Sequence, residues 1–474
     1  MLLVTSNGTG MGHLTRQTAV ALALGDRADV VVLSLSSGVP VVLGQGLRAE
    51  YLPSYQRPWM PRSDWHRYLA DRLVALVEEL DADVVAFDGV APYRGLVLAE
   101  QRLPATAFVW VRRGLWRPGR NLRALGAEPF FDLVVEPGDL AAAADRGGTT
   151  GRPARPVPPV SVLDVLAPLS REAAAADLGL DPNRPVALLT LGSGASGRDD
   201  GLVAAAVAAV RTDPSWQIAL TQAALHDGGE APAGVTVLRG TYPLATRVRA
   251  LDLVVSAAGY NAVHEFVGAG LATVLVPDRT TATDDQGARA ERLAADGRAL
   301  LADTAAEVSA AVTALLDPAA RAALTSAAQG QTGSGRTGGA QAIAELLLTA
   351  SPRPLTLAVR IARVRYLARA ALVDRAATLL GDGLADRLRR RRRAGRPGLV
   401  RRLAVHEVHE VHEVHEVHDG VTPGPGRTVL VSERLDRDLV LREDPFEHVL
   451  PGTSPAYRTR RLAILRAAYD VVPH

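Results

Sequence analysis

The chain has 474 residues, an apolar fraction of 47% and no cysteine; that is enough apolar side chain to fill two or three domain cores, and it excludes disulfides, thiolate catalysis and cysteine metal sites. The net charge of +2 hides an asymmetry, because residues 352–404 carry 15 Arg against 3 Asp, net +12, and leave the remainder at net −10. All 53 Lys-or-Arg positions are arginine, a habit of GC-rich coding, so arginine content does not argue for nucleic acid and none is expected; an anionic partner should meet 352–404.

The amino terminus runs directly into an apolar strand, Leu2–Thr5, and a glycine loop. No basic stretch leads into an apolar one, so the expected location is cytoplasmic. In the loop, Gly8, Gly10 and Gly12 let a phosphate approach the backbone at the start of a helix, and Arg16 adds a charge-assisted contact. His13 can take a proton near neutral pH, or only donate to phosphate or cap the helix. A dinucleotide site needs an acid at the far end of the second strand. That strand, Val30–Leu35, ends in Ser36, and the nearest acid, Asp29, precedes it. The longest uncharged stretch, 30–47, is broken by glycines and Pro40 and does not suit a membrane span.

Further apolar runs follow at Val84–Phe87, Ala105–Trp110 and Leu133–Val135, with helical patterns between them, as in a parallel sheet with crossover helices. Asp88 stands at a strand end where ligands of open sheets bind, and can position an acceptor, act as base or cap a helix. Arg112 and Arg113 follow the next strand and can grip an anion or form a solvated basic turn. Residues 146–159, rich in Gly, Thr and Pro, read as an exposed linker. A second α/β series opens at Val186–Leu191 and continues through Trp216–Leu220, Val235–Leu238, Leu251–Val255 and Ala272–Val276. Gln341–Leu348 is expected to close that second half.

Three loops of the second series carry polar residues at strand ends. Gly192, Ser193 and Gly194 follow the first strand; Ser256, Gly259, Asn261 and Glu265 follow the strand ending at Val255; Asp284 and Gln286 open a later helix. Glu265 lies about one and a half turns inside a helix, where a carboxylate can accept from a ribose diol.

The pattern Gly8 to Arg16, the glycine-serine loop, the Ser256–Glu265 segment and Asp284 to Ala290 together resemble the MurG-like glycosyltransferases, which add N-acetylglucosamine to a polyprenyl-diphosphate sugar. The resemblance spans residues 1–350 and departs at Asp285 and Arg289, which bears on sugar specificity. It implies two Rossmann-like domains facing a cleft (GT-B type): acceptor-binding 1–145, linker 146–165 and donor-binding 166–350. His13 or Asp88 would then be catalytic, and Gly8, Gly10, Gly12, Arg16 and Arg112 would bind acceptor. Gly192, Ser193, Gly194, Ser256, Gly259, Asn261, Glu265, Asp284 and Gln286 would bind a UDP-sugar. The implied reaction is inverting, with no cofactor and no metal, and delivers a hexose-type residue to a lipid-linked or other cell-envelope acceptor. The alternatives are a nucleotide-sugar hydrolase and a non-catalytic, membrane-associated scaffold.

Residues 351–474 read as an appendage. The near-perfect triplets with His406, His409, His412, His415 and His418 suit an expanded linker better than a metal site. Before them, Leu357, Ile361, Val364, Ala368 and Leu372 share a helical face, as in a helix lying on an anionic membrane surface or packed on the body.

Overall fold

The structure is a computed structural model that describes residues 1–6, 11–36, 38–54, 62–191, 200–221, 232–329 and 337–380, and of residues 63, 200, 329 and 373–380 the backbone only. Gly8, Gly10, Gly192, Ser193, Gly194 and the His-Glu-Val repeat lie outside the described residues.

In the first half the apolar runs become strands β1 (Leu2–Thr5), β2 (Val31–Ser34), β3 (Arg48–Tyr51), β4 (Val84–Asp88), β5 (Ala107–Val111), β6 (Leu133–Pro137) and β7 (Arg155–Val157). All are parallel, in the order β3-β2-β1-β4-β5-β6-β7. Helices α1 (Gly12–Leu24), α2 (Val39–Leu43), α3 (Arg62–Leu80) and α4 (Arg94–Glu100) cross between strands. On one face Trp65, Tyr68, Leu69 and Leu73 of α3 pack with Val85 and Phe87, while Leu14, Val20 and Leu24 of α1 pack with Leu3, Val32 and Ala86 on the other. A sheet covered on both faces has strands apolar at every position, and β1, β2 and β4 are buried throughout.

The second half repeats the plan. Strands β8 (Val186–Thr190), β9 (Gln217–Thr221), β10 (Thr236–Leu238), β11 (Leu253–Ala257), β12 (Ala272–Val276) and β13 (Leu300–Leu301) form a six-stranded sheet, β10-β9-β8-β11-β12-β13. Its helices are α5 (Arg171–Leu178), α6 (Asp200–Val210), α7 (Tyr260–Ala262), α8 (Gln286–Ala295), α9 (Ala305–Leu316) and α10 (Pro318–Gln329). The order reverses between β1 and β4 in one sheet and between β8 and β11 in the other, and ligands of such sheets bind outside the strand ends at these switch points.

Two expectations change, and a third element takes one of the two places expected for it. The linker is not wholly irregular: Arg155–Val157 adds an edge strand to β6, a place where Pro156 costs no ladder bond. Helix α11 (Gly339–Leu348) does not complete the second half; Ala340, Ile343, Ala344 and Leu347 bury against α1 in the first. Asp164 fixes this crossing by accepting from the backbone of Thr337 at 2.7 Å, Gly338 at 3.0 Å and Ala340 at 3.0 Å, which satisfies donors at the helix start that have no partner inside it. Finally, helix α12 (Leu357–Leu380) begins docked on the first half, with Arg363 donating to Pro129 O at 2.8 Å and pairing with Glu100 at 2.7 Å.

Candidate functional site

At the first switch point, α1 and the end of β4 bring three side chains together. His13 Nδ1 is 2.6 Å from Asp88 Oδ1, and Arg16 donates to Asp88 through Nε (2.9 Å, Oδ2) and Nη2 (2.6 Å, Oδ1). Asp88 and Arg16 are only 1% and 3% exposed. Burial pushes the Asp88 carboxyl up, but Arg16 and His13 outweigh it and the net shift is down, so it is ionised at neutral pH. A carboxylate can only accept, so His13 Nδ1 carries the proton and donates. Arg16 Nη2 stands 2.8 Å from His13 Nδ1 because both donate to the same oxygen. The acceptor nitrogen of the imidazole is therefore Nε2. Burial lowers the His13 pKa while Asp88 partly restores it, which leaves a neutral ring able to take a proton.

The second half meets this group across the cleft. Asn261 donates to Gly12 O at 3.3 Å and accepts from Arg16 Nη1 at 3.3 Å. Tyr260 lies between two guanidinium groups, Arg16 at 5.1 Å and Arg113 at 5.2 Å from its ring centre. Its hydroxyl donates to Gly138 O at 2.9 Å and accepts from Val160 N at 3.0 Å. His264 accepts from Leu140 N through Nε2 at 3.1 Å, so its Nδ1 carries the proton to Tyr260 O at 2.6 Å. Burial holds its pKa down at about 4, which makes it a neutral bridge between halves and not a base.

A second charged group lies beside the first. Arg289, fully buried, pairs with Asp139 at 3.0 Å and Asp284 at 2.8 Å and donates to Ala258 O at 2.9 Å. Arg113 reaches Asp284 at 3.2 Å. Both aspartates are pushed up by burial but held below the ordinary range by these cations. Backbone bonds reinforce the contact, Arg117 N to Thr283 O at 2.7 Å and Asp285 N to Leu115 O at 3.0 Å, and Leu115 and Ala141 share a core with Ala258, Val263 and Leu293.

Two expected binding residues have other places. Arg112 is fully buried and paired with Glu128 and with Glu136 at 2.9 Å; it sits inside the first half, and its neighbour Arg113 is the one that faces the second. Asp284 is held by two arginines and takes part in the contact between halves. Gln286 accepts from Asp278 N at 3.0 Å, which leaves its NH2 as the donating end. Ser256 is buried, with its hydroxyl on Ala257 O at 3.0 Å. Asp139, Tyr260, His264 and Arg289 escaped the sequence reading; the departure at Arg289 was the one signal available for them.

Gly259 begins the turn after β11, and among the described residues a Cβ built on it meets nothing within 4 Å, so none of them fills the space in front of that backbone. Glu265 lies in a π-helical turn, Val263–Val267, a feature frequent at functional sites. Among the described residues its carboxyl has no hydrogen-bond or ion-pair partner, and burial raises its pKa to about 8. Tyr242 stands near enough for the Glu265 charge to add to the burial that lifts its phenol to about 12.

Residues 235–347 match the glycosyltransferase family 28 C-terminal domain. The chain is 26% identical over 313 residues to the UDP-N-acetylglucosamine–N-acetylmuramyl-(pentapeptide) pyrophosphoryl-undecaprenol N-acetylglucosamine transferase of Corynebacterium diphtheriae, covering 63% of this chain and 82% of that one. Among solved structures, the spinosyn forosaminyltransferase SpnP aligns with a TM-score of 0.51 at 18% identity, over 73% of this chain and 98% of that one. A structure described as a UDP-N-acetylglucosamine 2-epimerase of Listeria monocytogenes aligns with a TM-score of 0.52 at 13% identity, over 73% and 94%. These two likenesses bear on the fold, two Rossmann-like domains of the GT-B type.

Proposed function

The chain is a MurG-like glycosyltransferase, and from that premise we propose that it transfers a hexose-type residue from a UDP-sugar to a hydroxyl of a lipid-linked acceptor, with inversion and without a metal ion. N-acetylglucosamine is the sugar named for the corynebacterial relative and is the first donor to try. The observation that carries the reading is the His13–Asp88–Arg16 group at the switch point between β1 and β4. His13 Nε2 takes the acceptor hydroxyl proton as that oxygen attacks the anomeric carbon. The new C–O bond forms while the bond from that carbon to the diphosphate breaks, and UDP leaves with the electron pair. A single displacement from the face opposite the diphosphate inverts the centre. Asp88 steadies the imidazolium that forms, as a buried carboxylate does for a catalytic histidine. Glu265 receives the ribose hydroxyls, the backbone at Gly259 faces the diphosphate, and Arg113, whose buried Nε has no partner among the described residues, meets the developing negative charge.

The test is product formation with UDP-N-acetylglucosamine and a polyprenyl-diphosphate sugar, with and without EDTA. Transfer that survives EDTA supports the whole reading. Release of UDP from the donor alone points to a hydrolase, and tight UDP binding with no product across an acceptor panel to a scaffold. Reaching a lipid-linked acceptor requires contact with a bilayer surface, a role that segment 352–404, net +12, is suited to supply.

A further inference from the structure

Helix α12 has two opposed faces. Val359, Ala362, Arg363, Tyr366, Leu367 and Ala370 are the partly covered residues, and they turn toward the first half, where Tyr366 lies 5.3 Å from the Phe130 ring and Leu367 joins the adjoining core. On the other side Leu357 is 74%, Ile361 45%, Val364 65% and Leu372 65% exposed, with Ala368 exposed between them. At ~100° per residue these five span an arc of about 80° centred opposite the docked face. Exposed Arg360 and Arg365 border the arc on its two sides, with Arg369 beyond Arg365. A helix that had only to brace the first half would bear polar residues here.

We propose that this exposed face of α12 lies in the headgroup plane of an anionic bilayer, its leucine, isoleucine and valine side chains in the acyl boundary and its flanking arginines on lipid phosphates. Charge decides between the occupants. No acidic residue occurs from 346 to 373, so a second copy meeting this face by twofold symmetry would set arginine rows against each other. An anionic surface with an apolar interior matches both the stripe and its borders. Among the described residues no helix is long and apolar enough to cross a membrane, so contact is along the helix and not through it. The inference stands on α12 and takes only its purpose from the proposed lipid-linked acceptor.

Flotation of the full chain with phosphatidylglycerol–phosphatidylcholine vesicles and with phosphatidylcholine alone provides the test. Binding should require phosphatidylglycerol and fall as salt rises. Ile361→Asp with Val364→Asp should weaken it at least ~10-fold, and Arg360→Gln with Arg365→Gln by about fivefold per arginine removed. Both pairs are exposed, so folding and UDP affinity by calorimetry should match the parent. Absent UDP binding in the parent would sink the donor assignment and leave the vesicle result standing. Failure of the full chain to float with anionic vesicles, or equal flotation of the aspartate variant, would overturn the proposal. So would a dimer that the aspartate change splits without altering flotation, since a second copy would then own the face.

Discussion

At the scale of single residues, the His13 imidazole has a partner in the site and the Glu265 carboxyl has none among the described residues. His13 is oriented by Asp88, so His13→Ala is expected to lower kcat by about 10²–10⁴-fold, the usual worth of a positioned base, with UDP affinity unchanged by calorimetry. Because burial lowers the His13 pKa and Asp88 partly raises it, the acid limb of kcat/KM should fall below the ordinary histidine value. Asp88→Asn should move that limb lower still while reducing turnover. Glu265 behaves in the opposite sense to most carboxylates. Its folded pKa of about 8 lies above the ordinary 4.5, so the folded state holds a proton that the unfolded state has released. The resulting stability is fully present below about 4.5 and is lost as pH rises through about 8. Melting curves should therefore show Glu265→Gln gaining on the parent between pH 5 and 9. UDP affinity should run the other way, rising with pH in the parent as the carboxylate forms. The glutamine variant should lack that rise and bind UDP about 1.5–3 kcal/mol more weakly at pH 8.

At the scale of elements, the decisive piece is α11, which leaves the second half and completes the first. Ile343 and Leu347 are fully buried against α1, so Leu347→Ala should cost about 2–5 kcal/mol. Denaturation followed by the fluorescence of Trp65 and Trp110, both in the first half, should report that loss. A variant whose first-half transition is unmoved would return α11 to the second half. Crowding sharpens the same crossing: a Cβ on Gly339 would stand 2.2 Å from Pro159 O and 2.4 Å from Pro158 O. Neither oxygen is at the end of a flexible side chain, so Gly339→Ala should destabilise as well, although alanine is the better helix former.

At the scale of the molecule, Arg113 and Arg289 with Asp139 and Asp284 join the two halves. Buried ion pairs repay little more than their own desolvation, so their larger effect is to fix one arrangement. The cations hold Asp139 and Asp284 below the ordinary 3.8. Such groups contribute stability above the unfolded pKa and lose it as pH falls through the folded one. Arg289→Asn removes the common partner. Its acid unfolding, followed by circular dichroism, should begin at higher pH than the parent's, and its unfolding at neutral pH should cost about 3–5 kcal/mol, the usual effect of stranding a buried charge. An unchanged acid limb would show that the cluster does not bear on stability.

The sequence by itself determined the two parallel sheets, because strands covered on both faces must be apolar at every position, and Leu2–Thr5 and Ala272–Val276 appear as strands with the bounds the runs suggested. It also placed His13, Asp88, Asn261 and Glu265 at strand ends, since glycine turns after apolar runs mark where a sheet opens to a ligand. Arg48–Tyr51 and Leu300–Leu301 were not legible; the first begins with an exposed arginine and carries Glu50, buried by its pairing with Arg72, and the second has only two residues. Only the tertiary structure decided that Arg112 is an internal ion pair while Arg113 reaches across the cleft, since adjacent residues on a strand exit point to opposite sides. The fate of α11 and the two faces of α12 were likewise settled by packing. An amphipathic period tells which side of a helix is apolar, but which body it covers depends on contacts between residues far apart in the chain.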